Sequence, residues 1–160
     1  MDLVVLAGLQ GSGKSTFHAA RFGDTHAYVS RDRFPNARDP AARQRALVAA
    51  AAAAGRSVVV DNTSPRRADR AGLVALARSL GLRPVLYWFP PDVPASLARN
   101  ARREERARVP PVAIHATRKR LEPPDAAEGF EAVYEVTATG EGGFTVRARP
   151  ELAVGAGAAR

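Results

Sequence analysis

Short apolar runs recur along the chain, separated by longer stretches whose apolar positions fall at helical spacing. This is the alternation of strands and helices that builds an α/β domain around a parallel sheet. Leu3–Ala7 reads as a first strand, followed after a glycine-rich stretch by a helix through Phe17–Phe22. Gly23-Asp24-Thr25 breaks that helix, and Ala27–Ser30 reads as a second short strand. Phe34–Pro40 is rich in turn formers and ends with Asp39 and Pro40 as the N-cap and first residue of the next helix. That helix runs through Arg43, Arg45, Leu47 and Val48 into the alanines Ala49–Ala54, which supply helix propensity and close packing, and Gly55 stops it.

Ser57–Asp61 is the most β-prone run, apolar without alternation as in a strand covered on both faces, and its expected place is beside the first strand. Ser64 is positioned to cap a helix from Pro65 to Leu80 that turns Leu73, Leu76, Ala77 and Leu80 inward, with Arg66, Arg67, Arg70 and Arg78 marking its wetter parts. Arg83–Phe89 is a fourth strand, in which Trp88 suits core or pocket wall better than a base-stacking platform. A helix opening at Asp92 or Pro94 and carrying residues as far as Arg108 comes next, then another from Val109-Pro110-Pro111 to about Leu121. A fifth strand at Ala132–Val136 and a hairpin return at Phe144–Ala148 complete the pattern. Residues 151–160, rich in Ala and Gly, read as a disordered tail.

Between the first strand and the first helix lies Gly8-Leu9-Gln10-Gly11-Ser12-Gly13-Lys14-Ser15-Thr16. Gly8, Gly13, Lys14 and Ser15 match the phosphate-binding pattern G-x-x-x-x-G-K-[ST] in the strand–loop–helix setting that it requires. Glycines at Gly8, Gly11 and Gly13 let backbone N–H groups converge with Ser12 on a polyphosphate, and the helix that follows adds its positive end. Lys14 is placed to reach the β- and γ-phosphates of ATP, Ser15 to offer its hydroxyl to Mg²⁺, and Thr16 to support the α-phosphate side. A chain with 22 arginines and 2 lysines keeps a lysine at this position. The loop needs its compact ammonium, and a planar guanidinium would not substitute.

Composition adds less. The 160 residues, 46% of them hydrophobic, suit one domain with one core. With no cysteine, disulfides, thiolate zinc sites and thiol nucleophiles are excluded. A reducing cytoplasm fits, and the apolar run at the start is too short for a signal or membrane helix. The net charge of +8 suits an anionic partner, but the arginine and alanine bias weakens that inference. Asp32 follows the second strand and is expected either to project into the crevice at the strand ends or to serve as a turn or cap residue. Asp61, closing the third strand, is either a Walker B-type acid or a capping residue. Arg99, Arg102, Arg103 and Arg106 stand at helical spacing as one cationic stripe. Alone it suits a solvated face, and beside a phosphate loop it suits a mobile lid over the transferring phosphate.

From Leu3 to Val136 the chain resembles the kinase domain of the polynucleotide 5′-hydroxyl kinase family, within the P-loop kinases. Beyond the loop, four stretches carry the resemblance in the family's order: Ser30-Arg31-Asp32-Arg33, Val60-Asp61-Asn62-Thr63-Ser64-Pro65, Arg99-Asn100-Ala101-Arg102-Arg103, and Arg118–Pro124 with Glu128-Gly129-Phe130 and Val133-Tyr134. The resemblance implies Asp32 as general base, Asp61 and Asn62 on the substrate side, and Arg103 on the transferring phosphate with Arg99 and Arg102 assisting. One departure is Pro35, where some members carry an arginine that holds a nucleic-acid phosphate. Arg31, Arg33 and Arg38 are the candidates to compensate.

The expected architecture is therefore a P-loop kinase-like α/β fold over residues 1–150, a parallel sheet of about five strands with helices on both faces and a lid at about residues 99–110. The expected reaction moves the γ-phosphate of ATP, with Mg²⁺, to a hydroxyl, foremost the 5′-OH end of DNA or RNA. The expected partners are nucleic acid 5′ ends and no membrane. The alternatives are a kinase of a small alcohol, such as a sugar, an antibiotic or a nucleotide-sugar, and a non-catalytic ATP-responsive module.

Overall fold

A computed structural model describes residues 1–155. Its centre is a six-stranded sheet in the order β2-β3-β1-β4-β5-β6. The strands are β1 (Asp2–Ala7), β2 (Ala27–Val29), β3 (Val58–Asp61), β4 (Arg83–Trp88), β5 (Ala132–Ala138) and β6 (Phe144–Ala148). The first five pair in parallel, with β3 beside β1 as expected, and β6 returns antiparallel to β5 as the hairpin. That return makes the sheet one strand wider than five.

Alternation along β1 explains the layering. Leu3, Val5 and Ala7 join Val58 and Val60 in a core under α2 (Pro40–Ala53), α3 (Arg67–Ser79) and α5 (Pro111–Arg120), to which Val48, Leu73, Val74, Ala77 and Ile114 contribute. Val4 and Leu6 join Val59 and Val85 on the other face, where α1 (Lys14–Phe22) inserts Phe17 and Phe22. Phe17 sits with its ring centroid within 6.0 Å of Phe22, Tyr87, Phe89 and Phe144 in turn. One short helix covers this face because aromatic rings bring large buried areas per residue. The strands β1, β3 and β4 are buried along nearly their whole lengths, so their C-terminal ends are fixed relative to one another where the loops emerge.

Four expectations need correction. Ser64 does not cap α3: its φ of 42° places it in the left-handed region, and α3 begins at Arg67 with the Asp69 carboxylate accepting the Arg66 N–H at 3.1 Å. Arg70, assigned to a wet part of α3, is 0% exposed. It pairs with Glu128 at 2.6 Å, donates to the carbonyls of Ser64, Pro65 and Glu122, and lies over the Trp88 ring. An arginine can be buried this way because nearly every N–H finds an oxygen. The helix α4 (Val93–Arg102) ends six residues before Arg108. The tail expected from Glu151 is anchored at its start: Glu151 binds Arg149, Leu152 packs on the core, and the Val154 N–H donates to the Phe130 carbonyl at 2.7 Å. Residues 156–160 lie outside the described residues. Among the described residues no helix is long and apolar enough to cross a membrane.

Candidate active site

The loop between β1 and α1 folds as its glycines require. Gly11 has φ 73° and lies so close to α4 that a Cβ there would fall 2.5 Å from the Ser96 carbonyl oxygen. Gly13, at φ 98°, is the N-cap of α1, and its carbonyl accepts the Phe17 N–H at 2.9 Å to start the helix. The loop is tied to the end of β3 by the Gly8 N–H, which donates to the Thr63 carbonyl at 3.0 Å. Side chains of α1's first turn are thereby set against the residues that follow β3.

Lys14 is buried, and its ammonium donates to the carbonyls of Gly8 at 3.0 Å and Leu9 at 2.8 Å, with the Ser12 hydroxyl at 3.4 Å. Burial lowers its pKa from the ordinary 10.5 to about 8, against the opposing pull of Asp61. The Ser15 hydroxyl donates to Asp61 Oδ2 at 2.9 Å, and the Tyr28 hydroxyl donates to the same oxygen at 2.7 Å. Tyr28 is pushed up to about 12, first by burial and then by the Asp61 charge, so it stays a donor. Ser15 and Asp61 form a pair of hard oxygen donors at the end of the phosphate loop, the donor type that Mg²⁺ selects. They fit a metal shared with nucleotide phosphates, and no group of three or more ligating side chains exists among the described residues to hold one alone. Asp61 thus stands at the end of β3 beside the phosphate loop, accepting from Ser15 and Tyr28.

Lys14, Ser15, Thr16, Asp32, Asp61, Asn62 and Arg103 line one cavity of about 1450 Å³, with Gly11 at its edge. Asp32 lies on the single turn Arg31–Arg33 after β2, capped by the Ser30 hydroxyl, with its carboxylate exposed. Arg31 also lines this space. Arg33 and Arg38 do not: the Arg33 guanidinium stacks on the Tyr28 ring at 4.3 Å from its centroid, and Arg38 points to solvent.

The cationic stripe is also rearranged. α4 stops at Arg102, and Arg103 is extended at φ −68°, ψ 153°, so Arg103 and Arg106 leave the helical face that sequence spacing gave them. Arg99 donates to the Gly11 carbonyl at 3.3 Å, which fastens α4 to the loop. Arg102 is exposed outside the cavity. The buried Asn100 side chain bonds both the carbonyl and the N–H of Val109, at 2.7 and 3.0 Å, and so clips residues 103–108 into a loop over the cavity. Trp88 lines a separate cavity of about 120 Å³ and supports Arg70, as a wall residue should.

Two participants carried no sequence signal. Tyr28 is one aromatic in a three-residue strand, and Gln44 is one amide in an alanine-rich helix. Gln44 is 5% exposed, and its carbonyl accepts from Asn62 at 2.7 Å and from Arg31 at 3.2 Å. Pairing across elements, not local pattern, gives both their place.

A family model described as AAA domain matches residues 3–124. In structure the chain is similar to Kti12 of Chaetomium thermophilum in complex with ADP-AlF3, at TM-score 0.63 and 16% identity over 86% of this chain and 89% of that one. It is similar to a gluconokinase from Sinorhizobium meliloti at TM-score 0.57 and 18% identity, over 84% and 82%. A fungal RNA kinase matches at TM-score 0.64 and 15% identity over 85% of this chain, which spans 38% of that protein. At these identities the likeness establishes the fold: a P-loop kinase-like α/β domain.

Proposed function

The chain belongs to the AAA domain family, and from that premise we propose that it is an ATP-dependent phosphotransferase whose acceptor is the 5′-hydroxyl of DNA or RNA. The observation that carries the proposal is the cavity itself. It joins the phosphate loop to Asp32 across one continuous space, and eight cationic side chains against four carboxylates line it. That excess is more than a magnesium-bound nucleotide neutralises, and it suits an acceptor that brings negative charge of its own. A neutral sugar would leave the arginines facing nothing.

In this scheme Lys14 exchanges the loop carbonyls for the β- and γ-phosphates, and the loop N–H groups with the α1 N-terminus hold the polyphosphate. Mg²⁺ would be held by Ser15 and, directly or through water, by Asp61, and it would neutralise charge on the β- and γ-phosphates. Asp32 takes the proton of the acceptor hydroxyl as that oxygen bonds to the γ-phosphorus. The bond to the β–γ bridging oxygen breaks, and ADP leaves. Arg103, on the clipped loop, meets charge on the phosphoryl oxygens in the transition state. The test is transfer from labelled ATP to a panel of 5′-OH DNA and RNA oligonucleotides, gluconate and a neutral polyol. Label at the 5′ end is expected. Label on a small alcohol alone would remove the nucleic-acid acceptor and leave the phosphotransferase.

A further inference from the structure

We infer that Tyr28 is a positioning residue for two carboxylates of the cavity: its hydroxyl orients Asp61 for the metal, and its ring holds the turn that brings Asp32 to the acceptor hydroxyl. The inference rests on the proposed roles of Asp61 and Asp32 in phosphoryl transfer. Three contacts leave this one side chain. The hydroxyl donates to Asp61 Oδ2 at 2.7 Å, the Arg33 guanidinium lies 4.3 Å from the ring centroid, and the centroid of the His18 ring of α1 lies 4.2 Å from it. They join the end of β3, the turn after β2 and α1 at a single half-buried phenol.

The place of Tyr28 in the fold gives these contacts weight. The strand β2 has three residues, forms an edge of the sheet and pairs with β3 alone. The turn Arg31–Arg33 leaves from this weakly held strand, and Asp32 is exposed on it. A cation is attracted to the negative face of an aromatic ring, so the Arg33 stack fastens the residue next to Asp32. Asp61 sets a second need. Its Oδ2 accepts from Tyr28 and, at 2.9 Å, from Ser15, while Oδ1 accepts from no group among the described residues and Asp61 lines the cavity. Donors fixed on one oxygen of a carboxylate set its plane and leave the other oxygen for a metal or its water. Because the hydroxyl and the stacked face belong to one rigid ring, they cannot shift independently. One phenol thus sets the metal-side carboxylate and the base-bearing turn relative to each other.

The two contacts can be removed separately in the full chain. Tyr28→Phe deletes the hydroxyl and keeps the ring, whereas Arg33→Ala deletes the stack and keeps the hydroxyl. Calorimetry of ADP with and without Mg²⁺ reads the first. Tyr28→Phe is expected to lower the gain in ADP affinity that Mg²⁺ gives by about tenfold, with the affinity for metal-free ADP within about twofold of native, and Arg33→Ala to leave both unchanged. Transfer from labelled ATP to a 5′-OH oligonucleotide at saturating Mg²⁺ reads the second. Arg33→Ala is expected to lower kcat by about threefold to tenfold, while the KM values for ATP and acceptor stay within about twofold. In a Tyr28→Leu background Arg33→Ala should lower kcat no further, because its partner is gone. If Tyr28→Leu does not fold, the split between kcat and acceptor KM in Arg33→Ala decides the same point. An unchanged Mg²⁺ effect in Tyr28→Phe overturns the role of the hydroxyl. A loss in Arg33→Ala that falls on the acceptor KM, or that adds fully to Tyr28→Leu, overturns the role of the ring. Absence of transfer by the native protein to every acceptor removes the proposed function and the role of the ring with it, whereas metal-dependent ADP binding decides the hydroxyl by itself.

Discussion

In the proposed scheme the donor half of the cavity comes from one uninterrupted stretch, Gly8–Thr16, completed by Asp61 and Tyr28, whereas the acceptor half is assembled from the turn after β2, α2, the end of β3 and the loop between α4 and α5. On the donor side the lysine is buried and the loop is pinned by Thr63, Arg99 and the backbone of α4. On the acceptor side Asp32, Arg31 and Arg106 are exposed, with Gln44 and Asn100 buried behind them. The donor half is therefore preorganised by backbone, and the acceptor half by a few side-chain hydrogen bonds behind exposed cations. A substitution in the first should change the chemistry for every acceptor. One in the second should change which acceptor is used and how salt affects it.

The largest effect is expected at Lys14. Lys14→Ala should lower phosphoryl transfer by more than about 10³-fold with every acceptor, and Lys14→Arg should fail as well, because the larger fork cannot occupy the space between the Gly8 and Leu9 carbonyls. Thermal unfolding should show both variants folded. Near-native turnover in either would mean that the buried lysine is structural and that the donor half lies elsewhere.

Arg103 tests whether the loop over the cavity belongs to the donor half or the acceptor half. Arg103→Ala should lower kcat by about 10³-fold with little change in the KM for ATP, as for an arginine supplied in cis to the transferring phosphate. Arg106→Ala should cost far less, since Arg106 is exposed on the same loop while Arg103 is half-buried. Equal losses at both positions would make the loop a diffuse cationic cover and erase the distinction.

The two halves also differ in how much of them could be read from residues in order. The phosphate loop was complete in the sequence because its geometry is local: glycines at fixed offsets force the turn whatever surrounds it. The sheet was readable for a similar reason, since β3's unbroken apolar run signals two covered faces. The cationic stripe was not. Helical spacing put Arg103 and Arg106 in line with Arg99, but Asn100 captures Val109 and ends α4 before them. Arg70 looked wet because charge is the only cue that sequence offers, and its oxygen partners Ser64, Pro65, Glu122 and Glu128 gather only in the fold. Tyr28 and Gln44 were invisible because each acts through a partner far away in the chain.

pH should separate the halves by about tenfold per unit. The Lys14 ammonium in the free protein has its pKa lowered to about 8 by burial, whereas a bound polyphosphate favours the charged form. Above pH 8 nucleotide binding must therefore take up a proton. ATP affinity should be level below about pH 7 and fall by up to about tenfold per unit above pH 8. The free protein responds with the opposite slope: an unfolded chain holds the lysine proton up to 10.5, so stability should rise as pH increases from about 8 to 10.5. Lys14→Met should flatten both curves, as calorimetry of ATP binding and unfolding would register. Acceptor discrimination at Arg31 should not follow this profile.

The smallest effect belongs to the acceptor half and is read as a salt dependence. A nucleic-acid 5′ end held by a few arginines releases counterions on binding, so log affinity should fall linearly with log salt, with a slope no steeper than about two or three. Sequence alone nominated Arg38 for part of that slope, but it lies outside the cavity while Arg31 lines it. Arg31→Ala should flatten the slope by about 0.7 to 1 unit, and Arg38→Ala should leave it unchanged within error. Titrating salt against a 5′-OH oligonucleotide with both variants measures the difference directly. If Arg38→Ala flattens the slope as much as Arg31→Ala does, the acceptor path runs over the outer surface of the turn after β2. In that case the bond to Gln44 aims Arg31 away from the strand that matters.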